Sequence, residues 1–249
     1  CWALAPTPDG GFALAGETTS LGAGEEDWYL VVTDAEGNEL WSRTYGGEQG
    51  DRCFAITPAP DGGFMLAGQT YSEGAGDRDA QIRRVSAGGD PVWSQTFGGP
   101  ASDVAHSIVP TGEGDFVVTG YTTSLAAEED DPYLIRIGAR GEVVWTRVLP
   151  LDGVNHTITG DITTDGGLYL VGFTEYRDRG ANAGLIVRTD AEGRLLWHRD
   201  LLPTADGRSL CYAVRATADG GCVFAGHTTV RGAGGFDLLL VKLGSGDPE

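Results

Sequence analysis

Lysine is almost absent from this chain: Lys242 is the sole example among 249 residues. The 17 basic side chains, otherwise all arginine, are outnumbered by 36 carboxylates, and the formal net charge is −19. A nucleic-acid surface needs a basic stripe to neutralise phosphates, so this balance excludes nucleic acid as an expected partner. It argues equally against docking on an anionic membrane. No apolar run reaches the roughly 18 residues that a bilayer-spanning helix requires, so membrane insertion is not expected. Residue 1 already falls inside a repeat, and no signal peptide is read there. Dense carboxylates with one lysine fit a protein working in high salt, where like-charge repulsion is screened, or an acidic protein from a GC-rich genome.

Cysteine is scarce as well. Cys1, Cys53 and Cys211 occupy one position in three repeats, and Cys222 falls opposite Thr217 across a hairpin. Cys211 and Cys222 are then several residues out of register, too far apart to bridge. Buried free thiols are expected rather than a disulfide framework. The match of Cys1 to Cys53 also speaks against a lipidated terminus.

What the chain does contain is repetition. Trp41, Trp93, Trp145 and Trp197 recur at a constant interval of 52 residues. A period of that length marks one supersecondary unit copied until neighbours bury each other's apolar faces. Aligned copies give one domain, 1–249, with repeat units 1–52, 53–104, 105–156, 157–210 and 211–249. Each begins with an apolar, half-alternating stretch such as CFAITPAP. An Asp-Gly-Gly turn follows at Asp9, Asp61, Asp165 and Asp219, and Asp-Gly between apolar runs is a strong hairpin signal. The third copy departs from it with Gly112-Glu113-Gly114-Asp115.

The second stretch carries Gly16, Gly68, Gly120, Gly172 and Gly226, each followed two residues later by threonine. Glycine inside a strand sacrifices stability, so its recurrence implies close approach from a neighbouring unit. A third strand and a tight turn lead to the fourth strand, which bears the periodic tryptophan. Four short antiparallel strands per repeat predict an all-β fold: a five-bladed β-propeller of four-stranded antiparallel blades. The fifth unit ends without a Trp-bearing strand, so the last blade lacks its outer strand. Either the chain is an excerpt of a longer protein or the ring is one outer strand short.

The repeat, approximately D-G-G-[FL]-x-[LV]-x-G-x-T followed by D-x-x-G-x-x-x-W, resembles the tandem β-propeller repeats of secreted and cell-surface bacterial and archaeal proteins. That resemblance implies an extracellular or cell-surface location and roles in adhesion, binding or assembly, with no catalytic residues to carry over. Asp34-Ala35-Glu36-Gly37 before Trp41, and Asp190-Ala191-Glu192-Gly193 before Trp197, are similar to the tryptophan-docking motif of quinoprotein dehydrogenases. There the motif fastens one blade to the next. Only the packing role is expected here, without the quinone, and no cofactor is expected.

The carboxylates Asp27, Asp79, Asp131 and Asp237 recur at the start of the third strand, with Glu25, Glu26, Asp77, Glu128, Glu129 and Asp130 nearby. Oxygen-rich cation sites and carboxylates capping tight turns both fit. The loops lack acidic residues at alternating positions, which favours turn capping, so no metal site is expected. Trp28 occurs in one unit only, beside an acidic loop, and is expected to be exposed. The links into each first strand vary most and end at Asp51, Asp103, Asn155 and Ser209. These are expected to ring one mouth of a propeller channel, where loops converge on ligands. With Arg52, His106, His156, Arg208 and His227 they form the candidate ligand-binding set.

No nucleophile elbow, metal-ligand spacing or phosphate loop is present, so a non-catalytic recognition or assembly module is expected, with an unidentified protein or carbohydrate ligand. A lectin-like binder with blade-equivalent pockets is one alternative. A glycoside-active enzyme using Asp51 with Asp103 is another.

Overall fold

The computed structural model describes residues 1–125, 129–178, 180–232 and 234–245. Apolar and β-branched residues at successive positions favour extended chain, and the Gly-rich links reverse it. Five antiparallel sheets result. The first contains β1 (Ala3–Pro6), β2 (Phe12–Thr18), β3 (Asp27–Thr33) and β4 (Glu39–Tyr45). The second contains β5 (Asp51–Pro58), β6 (Phe64–Thr70), β7 (Asp79–Val85) and β8 (Pro91–Phe97). The third contains β9 (Asp103–Pro110), β10 (Asp115–Thr122), β11 (Asp131–Gly138) and β12 (Val143–Val148). The fourth contains β13 (Val154–Ile162), β14 (Leu168–Tyr176), β15 (Ala181–Thr189) and β16 (Leu195–Leu201). The fifth contains β17 (Ser209–Ala216), β18 (Cys222–Thr228) and β19 (Asp237–Leu243).

Every sheet is ordered as the chain runs, and no helix occurs among the described residues. The chain is an all-β, five-bladed β-propeller whose last blade has three strands among the described residues. Strand by strand, this is the arrangement the repeats predict.

Residues divide into two compact units, Cys1–Val118 with Arg136–Val144 and Thr119–Ile135 with Trp145–Glu249. In the first, Ala13, Ala15, Trp28, Leu30 and Val32 of one sheet pack on Cys53, Ile56, Phe64, Leu66 and Val85 of the next. In the second, Tyr169, Val171 and Ile186 pack on Cys211, Val214, Cys222 and Phe224. In the second sheet every residue of β6 is buried, so both faces of that strand are covered, which is why it is apolar at successive positions.

The periodic tryptophans fasten these seams as expected. The half-buried indoles of Trp41, Trp93 and Trp145 lie on the tight turn between the third and fourth strands of the following blade, while Trp197 packs on the core between the fourth and fifth blades. A Cβ on Gly89 would stand 2.7 Å from the Trp41 ring, and one on Gly193 would stand 2.7 Å from that of Trp145. Both glycines have positive φ, +83° and +74°, so the turn geometry and the indole contact select glycine together.

The recurrent strand glycines have a different cause from the one expected. At Gly68 the crowding atom is the Arg52 carbonyl oxygen, and at Gly172 and Gly226 it is the carbonyl of His156 and of Leu210. All three belong to the first strand of the same blade. A β-bulge shifts the register there, between Cys53 and Ala55, Thr157 and Thr159, and Cys211 and Ala213. The bulge pushes a carbonyl toward the facing residue, leaving no room for a side chain. At Gly68 a neighbouring blade also approaches, as expected, through the Trp28 ring.

Trp28 itself is 1% exposed and donates from Nε1 to the Gln69 carbonyl at 3.1 Å, so its expected exposure is corrected. An indole reaching over a glycine of the next sheet is buried by it. The four cysteines are free thiols, and Cys222 pairs with Ala216, one residue from the expected Thr217.

Candidate functional site

At the strand ends where the longer loops lie, recurrent carboxylates act as loop anchors. Asp27 Oδ2 accepts the backbone N–H groups of Ala23 and Gly24 at 2.9 and 3.2 Å. Asp79 Oδ2 accepts those of Ala75 and Gly76, both at 3.1 Å. Asp131 Oδ1 accepts that of Leu151 at 2.9 Å. A short acceptor satisfying successive N–H groups is what a tight loop demands. Burial pushes the Asp79 carboxyl up, helped by the negative charge of Asp103, and burial raises Asp131 as well. Among the described residues no group of three or more His, Cys, Asp or Glu is placed to hold a metal ion. Glu128 lies outside the described residues.

The four residues expected to ring a mouth are instead buried, at 1% exposure for Asp51, 0% for Asp103, 1% for Asn155 and 0% for Ser209. Most of their polar atoms are engaged by neighbouring loops and strands, although Asp51 Oδ1 is buried without a hydrogen-bond partner among the described residues. The Asp51 backbone N–H donates to the Glu26 carbonyl of the preceding blade at 2.6 Å, and its Oδ2 accepts the Gly47 N–H and the Ser72 hydroxyl. Asp103 repeats the pattern, with its N–H on the Arg78 carbonyl and its Oδ2 accepting the Gly99 N–H. Asn155 donates from Nδ2 to the Asp152 and Gly153 carbonyls and accepts the Thr174 hydroxyl. The Ser209 and Thr228 hydroxyls share a hydrogen bond of 2.8 Å. A polar group placed at the start of a first strand is needed to satisfy the adjoining loop, so it is spent internally.

The remaining candidates separate. His106 lies half-buried with its ring 5.0 Å from that of Phe54. His227 is held edge-on by Tyr212 and Phe236, with centroids at 5.3 and 4.5 Å. Arg208 is exposed, and its backbone bonds to Thr229. Arg52 and His156 are brought to equivalent places, each paired with an acid of the preceding blade.

Arg52 donates to Glu26 through Nε and Nη2, the second bond measuring 3.1 Å. The Arg52 hydrogen bonds hold the Glu26 carboxyl below the usual range. This pair stands in a cleft of about 530 Å³ lined by Thr19, Glu25, Glu26, Gln49, Gly50, Arg52 and Tyr71. Tyr71 is 37% exposed and lines the cleft beside five hydrogen-bonding side chains. Tyr71, Gln49 and Thr19 were not among the candidates. The signal for Tyr71 was its singularity, since the same repeat position holds Thr19, Thr123, Glu175 and Thr229 elsewhere.

In the second unit, His156 Nε2 lies 2.6 Å from Asp130 Oδ2, and Thr123 donates to Asp130 Oδ1 at 2.8 Å. The His156 hydrogen bond leads the contacts that hold the Asp130 carboxyl low. The Tyr121 ring stacks on the imidazole at 3.9 Å with an interplanar angle of 2°, and Phe173 covers it from 4.8 Å. Stacking closes this place, leaving the side chains of His156 and Asp130 only 19% and 14% exposed.

No family model matches the chain, and no curated protein matches it. Solved structures do. A puromycin hydrolase mutant complexed with PGG is similar at 15% identity with a TM-score of 0.51, over 91% of this chain and 37% of that one. A second puromycin hydrolase structure gives 14% identity and a TM-score of 0.42, over 91% of this chain and 33% of that one. The endo-arabinase of Bacteroides thetaiotaomicron gives 11% identity and a TM-score of 0.45, over 96% and 91%. The chain thus spans about a third of the length of the puromycin hydrolases. At such identity the first of these matches bears on the fold alone.

Proposed function

We propose that this chain is a non-catalytic recognition module of an extracellular or cell-surface protein, binding a polar ligand in the cleft beside Arg52 and Tyr71. The observation that carries the reading is the cleft itself. It combines an exposed tyrosine with carboxylate, guanidinium and amide groups in a volume typical of small-ligand sites. That mixture suits a carbohydrate, whose apolar ring face stacks on an aromatic and whose hydroxyls take both donors and acceptors.

One such site per chain is the reading that two equivalent places favour. Where the first unit has the Glu26–Arg52 pair in an open cleft, the second has Asp130–His156 beneath stacked rings. The lectin-like alternative with equivalent pockets in every blade is therefore less favoured than one singular pocket. The glycoside-active alternative asks two acids to flank a bond. Asp51 and Asp103 are 1% and 0% exposed, and Asp51 Oδ2 is committed to Gly47 and Ser72.

Titration of glycan-array hits by calorimetry tests the proposal. One site per chain is expected, with binding weakened about tenfold or more by Tyr71→Ala and by Arg52→Ala. Several sites per chain, or binding indifferent to both substitutions, defeats it. Turnover on a glycoside panel that disappears with Asp51→Asn revives the enzyme.

A further inference from the structure

The cleft beside Arg52 and Tyr71 has walls tied to one another through the backbone. The Asp51 N–H donates to the Glu26 carbonyl at 2.6 Å, and the Tyr71 N–H donates to the Gly50 carbonyl at 3.1 Å. Ser72 Oγ accepts the Gln49 N–H at 3.1 Å. These three links join the loops that carry Glu26, Gln49 and Tyr71. A ligand entering the cleft therefore meets groups already in place, and little ordering cost is left to binding.

The side chains on these walls carry an excess of acid. Arg52 is the one basic residue lining the cleft, and both its Nε and its Nη2 are spent on Glu26. The Glu26 hydrogen bond leads the interactions that raise the Arg52 guanidinium, and Glu17 adds a further negative neighbour. Glu25 also lines the cleft and is exposed, and its side chain has no hydrogen-bond or ion-pair partner among the described residues. At the corresponding positions the next sheet has Asp77 and Arg78, with Val104 in place of Arg52. An anion entering the cleft meets this excess unfavourably, whereas an ammonium group is drawn to it. The field of a chain of net charge −19 acts in the same direction. An exposed tyrosine is a neighbour that a cation also tolerates well.

We infer that the ligand of this cleft is a cationic carbohydrate, an amino sugar with a free ammonium group, and that Glu25 is the residue that selects it. The inference rests on the carbohydrate reading of the cleft and specifies which carbohydrate. The ammonium group brings three donors and a charge to Glu25, while Gln49 and Thr19 offer the hydroxyl groups of the sugar both donors and acceptors. Acetylating the amine removes the charge and keeps the ring. Because Glu25 is exposed, its contribution is that of a solvent-exposed ion pair, up to about fivefold in affinity, and salt weakens it.

Calorimetry at low salt and about pH 6, where the amine keeps its proton and Glu25 its charge, compares the glucosamine tetramer with its N-acetylated form and with cellotetraose. The glucosamine tetramer is expected to bind about fivefold more tightly than either neutral tetramer, and to lose that advantage in about 1 M salt. Glu25→Gln is expected to bring the three affinities together, and Glu25→Lys to place the glucosamine tetramer last. Tyr71→Ala is expected to weaken all three and leave their ratio unchanged. Glu25 is exposed, so neither of its variants disturbs the fold, and melting curves verify this. Neutral tetramers that bind as tightly as the glucosamine tetramer overturn the inference and leave the carbohydrate reading standing, as does an advantage that survives Glu25→Gln. Spermidine that displaces the glucosamine tetramer at equal concentration overturns it too, because charge alone is then recognised. Binding of none of the tetramers overturns the inference, and a glycan array without hits removes the reading beneath it.

Discussion

Trp93 Nε1 donates a hydrogen bond of 3.1 Å to the carbonyl oxygen of Ala139, which lies 46 residues further along the chain. The bond fixes an indole from β8 against the turn of the following blade. Beside it, Gln95 Nε2 donates to the Gly141 carbonyl at 2.7 Å. Trp93→Ala removes both the ring contact and the bond, and is expected to lower unfolding free energy by about 2–3 kcal/mol. Trp2, 62% exposed with an edge contact to Phe54 and a hydrogen bond to Glu17, is expected to cost less than Trp93 when truncated. Urea unfolding of the two variants makes the comparison.

Gly89→Ala attacks the same kind of seam from the other side. The residue has φ +83°, and a methyl there would meet the Trp41 ring at 2.7 Å. A loss of about 2 kcal/mol is expected, from left-handed backbone strain together with a displaced indole. Gly62, with φ +91° and nothing within 4 Å, isolates the backbone part, and its alanine variant should lose about 1 kcal/mol.

Thiol reactivity should divide one against three. Cys1 is exposed, whereas Cys53, Cys211 and Cys222 are buried. Burial pushes the Cys53 and Cys211 thiols up to about 12 and that of Cys222 up to about 11. A disulfide reagent at neutral pH is expected to label one thiol rapidly in the native protein and the rest only in denaturant. Rapid native labelling of two or more thiols contradicts these burials.

The Asp130–His156 pair makes a stability contribution with a defined pH sign. The folded carboxyl titrates below its ordinary value of 3.8, chiefly through the His156 hydrogen bond. The contribution is therefore complete above the unfolded value and disappears as pH falls through the folded one. Asp130→Asn is expected to cost about 1 kcal/mol at pH 7, with the gap to the parent narrowing below about pH 3.5. A gap that stays constant across the acid range refutes the linkage.

Salt is expected to raise the melting temperature. The 36 acidic side chains greatly exceed the 17 basic ones, and their mutual repulsion weakens as the Debye length shrinks from about 10 Å at 0.1 M to about 3 Å at 1 M. Differential scanning calorimetry in sodium chloride against an osmotically matched sugar separates screening from exclusion effects.

Much of the architecture was legible because a repeat states its own boundaries. The 52-residue tryptophan spacing located the fourth strands, and Asp-Gly-Gly located the hairpins. Less visible was the cation that three of the four hairpin aspartates meet. Arg188 Nη2 lies 2.8 and 2.7 Å from the two carboxylate oxygens of Asp165, and Lys242 Nζ lies 2.7 Å from Asp219 Oδ2. Arg84 pairs with Asp61, and Arg136 with Glu113 and Asp115. A constant separation of 23 residues was present in the sequence, yet it is lost among the other spacings until strand pairing gives it meaning. Val32 occupies the corresponding place in the first blade and supplies no such cation.

The site was less legible for a physical reason. Asp51, Asp103, Asn155 and Ser209 were chosen because polar residues in variable loops usually meet solvent, but these loops need internal acceptors and donors and consume them. Tyr71, by contrast, gains its place in a cleft only through the packing of one blade's loop on another's.

Local pattern alone determined which segments become strands, where they turn and which faces are apolar, since these depend on neighbours two or four residues away. Whether a given polar or aromatic group faces water depended on atoms tens of residues distant. Trp28 is covered because Gly68 lacks a side chain, and Asp51 is spent on Gly47 and Ser72. Burial is a property of pairs of surfaces, and only their assembly decides it.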